Sequence, residues 1–264
     1  MRAVITGASA GIGAAFARRL GGRGYDLTLI ARREDRLRAL AQEIAAVHHV
    51  RVEPMPADLT SDQDVNTVAT YLQEASDLAL LVNNAGFGVV GYFFEADVRA
   101  QEQMHRLHVL ATMRLTHAAL ENLVPRAQPG TGVINVSSVA AFGSSPQTVC
   151  YSATKAWMNA FTEGLAAELA AKNSPVAVQA LCPGFTLSEF HDVLKMDRSR
   201  IPRSLWMTPD FVVQESLRGF FRKKLIVIPG WRYKLLAGLM RTIPSSWMRR
   251  VMIALARLYR QSRG

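Results

Sequence analysis

The chain has 264 residues, 49% of them hydrophobic, and its 18 Gly, 11 Pro and 2 Cys exclude collagen-like and disulfide-framework proteins. No signal-peptide pattern opens the sequence and no apolar stretch is long enough to span a bilayer. We therefore expect a cytoplasmic protein that touches a membrane at most peripherally. The formal net charge of +10 lies at one end, because residues 216–264 hold 12 Lys and Arg and no Asp or Glu. No recognition motif accompanies this charge, so nucleic acid is not an expected partner.

Over roughly the first 185 residues, short apolar runs alternate with segments of helical periodicity. The runs are rich in Val, Ile and Leu without polar alternation, which is typical of strands covered on both faces. This alternation predicts an α/β fold with one doubly wound parallel sheet and helices on both faces. The predicted strands are Val4–Thr6, Leu27–Ala31, Val50–Met55, Leu78–Asn83, Val133–Ser137, Val176–Cys182 and Leu225–Ile228. The predicted helices are Gly11–Leu20, Asp35–Val47, Asp62–Ala75, Val98–Leu123, Tyr151–Lys172, Pro209–Phe221, Tyr233–Met240 and Ser246–Arg260.

A glycine-rich turn follows the first predicted strand and precedes the first predicted helix. Gly7, Gly11 and Gly13 would let the chain turn sharply, approach a pyrophosphate and pack the helix on the sheet. The helix N-terminus adds free N–H groups and a partial positive charge for the phosphates. We therefore expect a dinucleotide at this turn, with Ser9 and Ile12 among its contacts; a purely structural turn is the alternative.

The end of the second strand indicates which dinucleotide binds. Ala31 stands where an acidic side chain would bind the ribose 2′-hydroxyl of NAD, and Arg32 and Arg33 follow it. Because the guanidinium fork suits a 2′-phosphate, we predict NADP(H) as the cofactor. The alternative is two solvated arginines that pair with Glu34 or Asp35.

Four further motifs follow the turn in a specific order: Asn83–Gly86, Ser138, the pair Tyr151 and Lys155, and Pro183-Gly184. Ser138 precedes Tyr151 by 13 residues, and Tyr151 and Lys155 lie four apart on one helix face. In this order and spacing the chain resembles the classical short-chain dehydrogenase/reductase family over roughly residues 1–190. The resemblance implies a single Rossmann-like domain.

The residue types of this constellation suit carbonyl chemistry. A free tyrosine, with a pKa near 10, is a poor acid–base catalyst near neutrality, so we expect the ammonium of Lys155 to lower the pKa of Tyr151. The resemblance implies that Tyr151 gives its proton to a substrate carbonyl oxygen and that Ser138 holds the same oxygen. It also implies that Lys155 bonds the nicotinamide ribose while NADPH delivers hydride to the carbonyl carbon.

The resemblance implies cofactor contacts at further positions. Asp58 and Leu59 resemble a pair that contacts adenine, and the segment after Pro183-Gly184 resembles the one that grips the nicotinamide carboxamide. Ser188 stands in that segment where Thr is usual. The implied cofactor-binding residues are Gly7, Ser9, Gly11, Ile12, Gly13, Arg32, Arg33, Asp58, Leu59, Asn84, Ala85, Gly86, Tyr151, Lys155, Pro183, Gly184, Thr186 and Ser188. No metal site is expected.

One site position departs from the family pattern. His108 stands where the family has the Asn that kinks the long helix and helps hold a proton-relay water near the lysine. One interpretation is that His108 supplies polar groups to the same relay, as a candidate catalytic residue. The other is a hydrogen-bonded helix histidine beside an altered relay.

The C-terminus is the second departure. We predict a catalytic domain over residues 1–230, with a substrate lid at about 186–208, and a basic helical extension over 231–264. Three alternatives remain open for the extension: an in-plane helix on an anionic membrane, an arm that packs subunits or covers substrate, and a helix packed on its own domain with solvated arginines. By family habit we expect a homo-oligomer, either a dimer or a tetramer.

The predicted function is NADPH-dependent reduction of an aldehyde or ketone to an alcohol, or the reverse reaction. A hydrophobic substrate is suggested by the aromatic side chains of the predicted substrate regions: Phe93, Phe94, Phe142, Phe190 and Trp206. The alternative is a non-catalytic NADP(H)-binding protein in which the nucleotide controls membrane or partner binding through the tail. The intact Ser138, Tyr151 and Lys155 argue against this alternative, while His108 and the tail keep it open.

Overall fold

The computed structural model describes residues 1–143, 146–190, 201–242 and Trp247. Its strands are β1 (Arg2–Thr6), β2 (Asp26–Ala31), β3 (Val52–Pro56), β4 (Leu78–Asn83), β5 (Gly132–Val136), β6 (Ala177–Leu181) and β7 (Ile226–Val227). Its α-helices are α1 (Gly11–Gly21), α2 (Glu34–His48), α3 (Asp62–Glu74), α4 (Val98–His105), α5 (Thr112–Arg126), α6 (Val149–Ala171), α7 (Pro209–Phe220) and α8 (Trp231–Thr242).

The seven strands form one sheet in the order β3-β2-β1-β4-β5-β6-β7, and every neighbouring pair is parallel. This arrangement confirms the predicted doubly wound α/β fold. The chain winds outward from β1 to β3 and then crosses back to β4 on the other side of β1. The carboxyl ends of β1 and β4 therefore form a topological switch point, where α/β sheets of this kind bind ligands.

Both faces of the sheet are covered by helices, which explains why the strands are apolar on both sides. Helices α1, α2 and α7 pack on one face, where Phe16, Leu37 and Val213 are fully buried. Helices α3, α5 and α6 cover the other face through residues such as Val68 and Leu115. Two apolar layers thus hold the strand ends, and with them the site, in fixed positions.

The prediction of one continuous α-helix over Val98–Leu123 is wrong for the middle of this range. Residues Arg106–Ala111 form a π-helical segment between α4 and α5, and α5 continues to Arg126. Each π turn contains one more residue than an α turn, and such segments occur mostly at functional sites. The apolar spacing of 3.6 residues on either side of the segment does not reveal this change. His108 lies inside it and is fully buried.

Helix α8 packs against the segment that follows β6. The Tyr233 hydroxyl accepts a hydrogen bond from the Phe185 N–H at 3.0 Å and donates one to the Leu205 carbonyl at 2.7 Å. Its ring lies so close to Gly184 that a Cβ there would be 2.1 Å from a ring atom. The predicted helix Ser246–Arg260, apart from Trp247, and residues 191–200 of the predicted lid lie outside the described residues. Within the described ranges, no helix has the length and apolar character needed to cross a membrane.

Candidate active site

The turn between β1 and α1 has the backbone form that a dinucleotide pyrophosphate requires. Gly11 has a φ of +55°, and a Cβ on Gly13 would lie 2.3 Å from the carbonyl oxygen of Gly7. Among the described residues, no side chain caps α1, and the first turn of this helix contains no acidic residue. The first N–H groups of α1 therefore remain available to an anion, so the turn fits a bound dinucleotide.

Arg33 lies beside this turn, at the end of β2. Its guanidinium donates two hydrogen bonds to the Ser9 hydroxyl, from Nε at 3.2 Å and from Nη2 at 2.9 Å. Its Nη1 donates a third to Glu189 Oε2 at 2.7 Å. Arg36 donates to the other oxygen of Glu189. Arg33 does not pair with Glu34, as the alternative expected, because the partner of Glu34 is Arg38 and that of Arg33 is Glu189.

A cleft of about 500 Å³ lies against the turn and passes between α1 and the segment after β6. Ser9, Gly11, Ser188 and Glu189 are among its lining residues. The Ser188 side chain approaches Gly11 so closely that a Cβ on Gly11 would lie 2.9 Å from it. Predicted cofactor-binding residues from the turn after β1 and from the segment after β6 thus line one cleft.

The switch point is fixed by Asn84 and Thr6. The Asn84 amide donates to the Thr6 carbonyl at 2.8 Å, while the Thr6 hydroxyl accepts from the N–H groups of Asn84 and Ala85 at 2.9 and 3.0 Å. These bonds hold the loop after β4 against the glycine-rich turn. Farther along the same sheet edge, Asp58 accepts hydrogen bonds from Thr60 in the turn after β3.

Ser138, Tyr151 and Lys155 come together at the carboxyl end of β5. Ser138 begins a short 3₁₀ turn after β5, and Tyr151 and Lys155 lie on successive turns of α6. Burial raises the pKa of Tyr151 to about 12, and a side-chain hydrogen bond with Ser138 acts in the opposite direction. The Tyr151 ring also packs against Phe190, with ring centroids 5.8 Å apart.

The expected net lowering of the Tyr151 pKa is wrong for this arrangement, because burial of the phenol outweighs the stabilisation that the Lys155 ammonium can supply. The Lys155 ammonium donates to the Val136 carbonyl at 2.8 Å and lies 5.8 Å from the centroid of the Tyr151 ring. Desolvation of the phenol therefore dominates, and its pKa stands above the ordinary value rather than below it. Burial lowers the pKa of Lys155 to about 8, so the ammonium remains charged at neutral pH.

His108 joins the loop after β4 to α6. Its Nε2 accepts from the Phe87 N–H at 3.3 Å, and its Nδ1 lies 3.0 Å from the Thr154 hydroxyl. Since a backbone N–H can only donate, Nε2 is the acceptor, and the proton of the neutral ring is on Nδ1. The Thr154 hydroxyl in turn donates to the Tyr151 carbonyl at 2.8 Å. Burial first, and then the charges of Lys155 and His105, hold the pKa of His108 well below its usual range.

The profile of the short chain dehydrogenase family matches residues 1–199, which is most of the chain. The chain belongs to the short-chain dehydrogenase family. Among curated proteins, a 3-oxoacyl-acyl-carrier-protein reductase of Aquifex aeolicus is 29% identical to this chain over 220 residues. The aligned region covers 81% of this chain and 87% of that protein. Family membership supports an oxidoreductase that acts on a small molecule with a nicotinamide dinucleotide.

Solved structures of the short-chain dehydrogenase family share this fold. A short-chain dehydrogenase from Sphingobium yanoikuyae in complex with NADPH is 34% identical, with a TM-score of 0.83 over 92% of this chain and 96% of that chain. A bulky-bulky ketone specific alcohol dehydrogenase from Comamonas testosteroni is 31% identical, with a TM-score of 0.78 over 92% of this chain and 94% of that chain.

Three residues near the site of this short-chain dehydrogenase were not predicted from the sequence. Glu189 is 156 residues from Arg33 along the chain, and Tyr233 is 48 residues from Phe185. No local pattern marks such pairs. The position of Thr154 between Tyr151 and Lys155 on α6 could have marked it as a site residue. Its hydrogen-bond partner His108, however, is 46 residues away along the chain.

Replacing His108 with Asn should retain oxidoreductase activity, because the shorter amide can still donate to the Thr154 hydroxyl from the position of Nδ1, although it does not reach the Phe87 N–H that bonds to Nε2. Steady-state kinetics and a thermal melt of the variant would check this. A His108→Leu variant serves as the matched control and should lose both hydrogen bonds. If His108→Asn folds normally but loses activity, the imidazole itself is required.

The pKa of Lys155 predicts a pH limit on the oxidoreductase activity. The ammonium is protonated below about pH 8 and loses its charge as the pH rises through that value. Since this charge would stabilise the Tyr151 phenolate, kcat/KM should fall above about pH 8. No inflection from His108 is expected near neutrality, because its pKa lies well below 6.5. A kcat/KM that stays level from neutral to strongly alkaline pH would contradict this role for Lys155.

Proposed function

We propose that the protein reduces a hydrophobic aldehyde or ketone to an alcohol with NADPH, or catalyses the reverse reaction. The observation that carries this proposal is the cluster at the end of β5. There the protonated hydroxyl of Tyr151 is hydrogen-bonded to Ser138, with the Lys155 ammonium on the next turn of α6. The cluster lies at the same sheet edge as the glycine-rich turn, on the carboxyl side of the parallel strands.

Each residue of the cluster has a distinct chemical task in this proposal. Tyr151, protonated at neutral pH because its pKa is about 12, donates its proton to the carbonyl oxygen. Ser138 donates a hydrogen bond to the same oxygen as negative charge develops on it. The positive charge of Lys155 stabilises the phenolate that remains. NADPH, when bound, supplies the hydride that the carbonyl carbon accepts.

The residues present also support NADP(H) over NAD(H). The pyrophosphate would bind the N–H groups at the start of α1, and the 2′-phosphate would bind the guanidinium of Arg33 and the hydroxyl of Ser9, which already face each other. Arg36 lies on the first turn of α2 and shares a carboxylate partner with Arg33. Arg32 is exposed beside them. The NADPH complex of the Sphingobium yanoikuyae relative supports the same assignment.

Neutralising Glu189 should strengthen NADPH binding without changing NADH binding. The pKa of this carboxyl is lowered by hydrogen bonds from Arg33 and then Arg36, so it is charged at neutral pH and competes with a 2′-phosphate for both guanidinium groups. Because both ends of the pair are partly exposed, we expect Glu189→Gln to lower the NADPH Kd by about two- to fivefold. Calorimetric titration of both nucleotides would measure the change.

The matched control for Glu189→Gln is Glu215→Gln. Glu215 pairs with Arg218 on α7 in the same kind of surface ion pair. This control should leave both nucleotide affinities unchanged. A Glu189→Gln variant that binds NADPH no better than the parent, or that gains equally for NADH, would contradict the competition.

A hydrophobic substrate is supported by the apolar rings around Tyr151. Phe190 contacts its ring directly, and Phe185 packs against Trp206 at 5.5 Å in the segment after β6. Phe93 and Phe94, in the loop after β4, expose 57% and 83% of their surface. Adjacent exposed aromatic groups of this kind are typical of a surface that binds an apolar ligand.

The experiment that tests the proposed function is NADPH oxidation with a panel of aldehydes and ketones, from small to steroid- and acyl-sized. We expect turnover of bulky apolar carbonyl compounds with NADPH and weaker turnover with NADH. Preference for NADH would overturn the cofactor assignment. Tight NADPH binding without turnover of any compound would instead favour the non-catalytic alternative.

A further inference from the structure

Helix α8 has one face buried against the domain and an opposite face that is apolar and exposed. Tyr233 and Ala237 point inward and are buried. Trp231, Leu235 and Leu239, each four residues from the next, expose 68%, 68% and 53% of their surface. Single exposed apolar residues are ordinary, but three on one helix face form a continuous stripe of the kind that marks a docking surface. We call these three residues the α8 stripe.

Basic side chains border the α8 stripe. Arg232, Lys234 and Arg241 are exposed on the same helix, and α8 contains no Asp or Glu. Two of them are held in place: Arg232 donates to the Ser204 carbonyl at 2.7 Å, and the Arg241 guanidinium lies 4.7 Å from the centroid of the Phe142 ring. The positive charge extends beyond the helix, because residues 216–264 hold 12 basic and no acidic residues.

This charge distribution indicates which kind of partner binds the α8 stripe. If a second copy packed on the α8 stripe through the same face, two strongly basic segments would come together. The same would happen if residues 243–264 of this chain packed there, because they contain Arg but no acidic residue. An anionic lipid surface would instead complement the cations while the stripe enters the acyl boundary. We propose that the α8 stripe and its basic border dock the protein peripherally on an anionic membrane.

The docking surface lies directly behind the candidate active site. The inner face of α8 contacts the segment after β6 through Tyr233, which binds the Phe185 N–H and the Leu205 carbonyl. A bilayer on the outer face would therefore be one helix away from the segment that we assign to substrate and cofactor. Docking there would suit a substrate drawn from the lipid phase, a consequence that rests on the proposed function; the docking itself does not.

The test is co-sedimentation of the full-length protein with vesicles of phosphatidylcholine alone and of phosphatidylcholine mixed with phosphatidylglycerol. We expect binding to the anionic vesicles, weakened by salt, and little binding to the neutral ones. The double variant Leu235→Gln, Leu239→Gln should weaken binding by about tenfold or more, because two apolar side chains no longer enter the bilayer. A thermal melt and an NADPH titration would establish that the variant is folded.

The matched control is Val47→Gln, Val98→Gln, which replaces two exposed apolar residues on α2 and α4. It should bind vesicles like the parent. Equal binding of the parent to neutral and anionic vesicles, or unchanged binding of the α8 double variant, would overturn the proposal. An absence of vesicle binding would also overturn it. If sedimentation equilibrium then shows an oligomer that the α8 double variant dissociates, the stripe is a subunit interface.

Discussion

Replacing Tyr151 with Phe should lower kcat/KM for carbonyl reduction by about 10²- to 10⁴-fold, the usual contribution of a positioned general acid. The substitution removes the proton that the carbonyl oxygen must receive and the hydroxyl that is hydrogen-bonded to Ser138. It leaves the ring in place against Phe190 and His108. NADPH affinity should therefore change little, so that the loss appears in the chemical step. Single-turnover rates beside a nucleotide titration would separate the two effects.

Tyr71→Phe is the matched control for this variant. The Tyr71 hydroxyl is hydrogen-bonded to Thr28 at 2.7 Å and donates to Glu53 at 3.2 Å, on α3 and away from the cluster. Its loss should leave kcat/KM unchanged. If Tyr151→Phe retained the activity of the parent, the proton would have to come from another group, and the proposed task of Tyr151 would be wrong.

Replacing Gly13 with Ala should weaken NADPH binding by about ten- to a hundredfold, because a lost hydrogen bond to a charged phosphate costs about 1.5–3 kcal/mol. A Cβ at this position would lie 2.3 Å from the Gly7 carbonyl oxygen and 2.6 Å from the Asn84 amide nitrogen. Neither neighbour can move freely, since the Asn84 amide donates to the carbonyl groups of both Thr6 and Gly7. The turn itself must shift, and the N–H groups of α1 move with it.

Gly164→Ala provides the comparison for this glycine. Gly164 lies within α6, and a Cβ there would meet nothing within 4 Å in the described part of the chain. Because Ala is a better helix former by about 1 kcal/mol, this variant should melt slightly higher and bind NADPH like the parent. A Gly13→Ala protein with parental Tm and parental NADPH affinity would show that the turn does not bind the nucleotide as proposed.

The sequence predicted those features that depend on local spacing. The apolar runs indicated the parallel sheet, the glycines between β1 and α1 indicated a nucleotide turn, and the four-residue spacing of Tyr151 and Lys155 placed both on one face of α6. Each of these signals lies within one element or one turn, where periodicity and backbone geometry determine the outcome. The family resemblance then extended the prediction to Ser138, which the structure places beside Tyr151.

The features that the sequence did not predict arise from contacts between distant elements. The neutral state of His108 follows from its burial within a π-helical segment, at the position where the family resemblance implied a kink; the burial itself leaves no local signature in the sequence. The raised pKa of Tyr151 follows from burial that its spacing to Lys155 does not reveal, while the ammonium donates to Val136. Likewise, the pairing of Arg33 with Glu189 joins the end of β2 to the segment after β6.

The central claim is that this chain transfers hydride between NADP(H) and a carbonyl carbon, with Tyr151 as the proton donor. The most direct measurement uses NADPH in which both hydrogens at the nicotinamide C4 position are deuterium, an excess of a bulky apolar ketone, and mass spectrometry of the alcohol formed. We predict one deuterium on the carbinol carbon of the alcohol formed by the parent, and formation of this labelled alcohol about 10²- to 10⁴-fold more slowly with Tyr151→Phe. Binding of the deuterated NADPH by the parent without deuterium in any alcohol, across the whole carbonyl panel, would contradict the account.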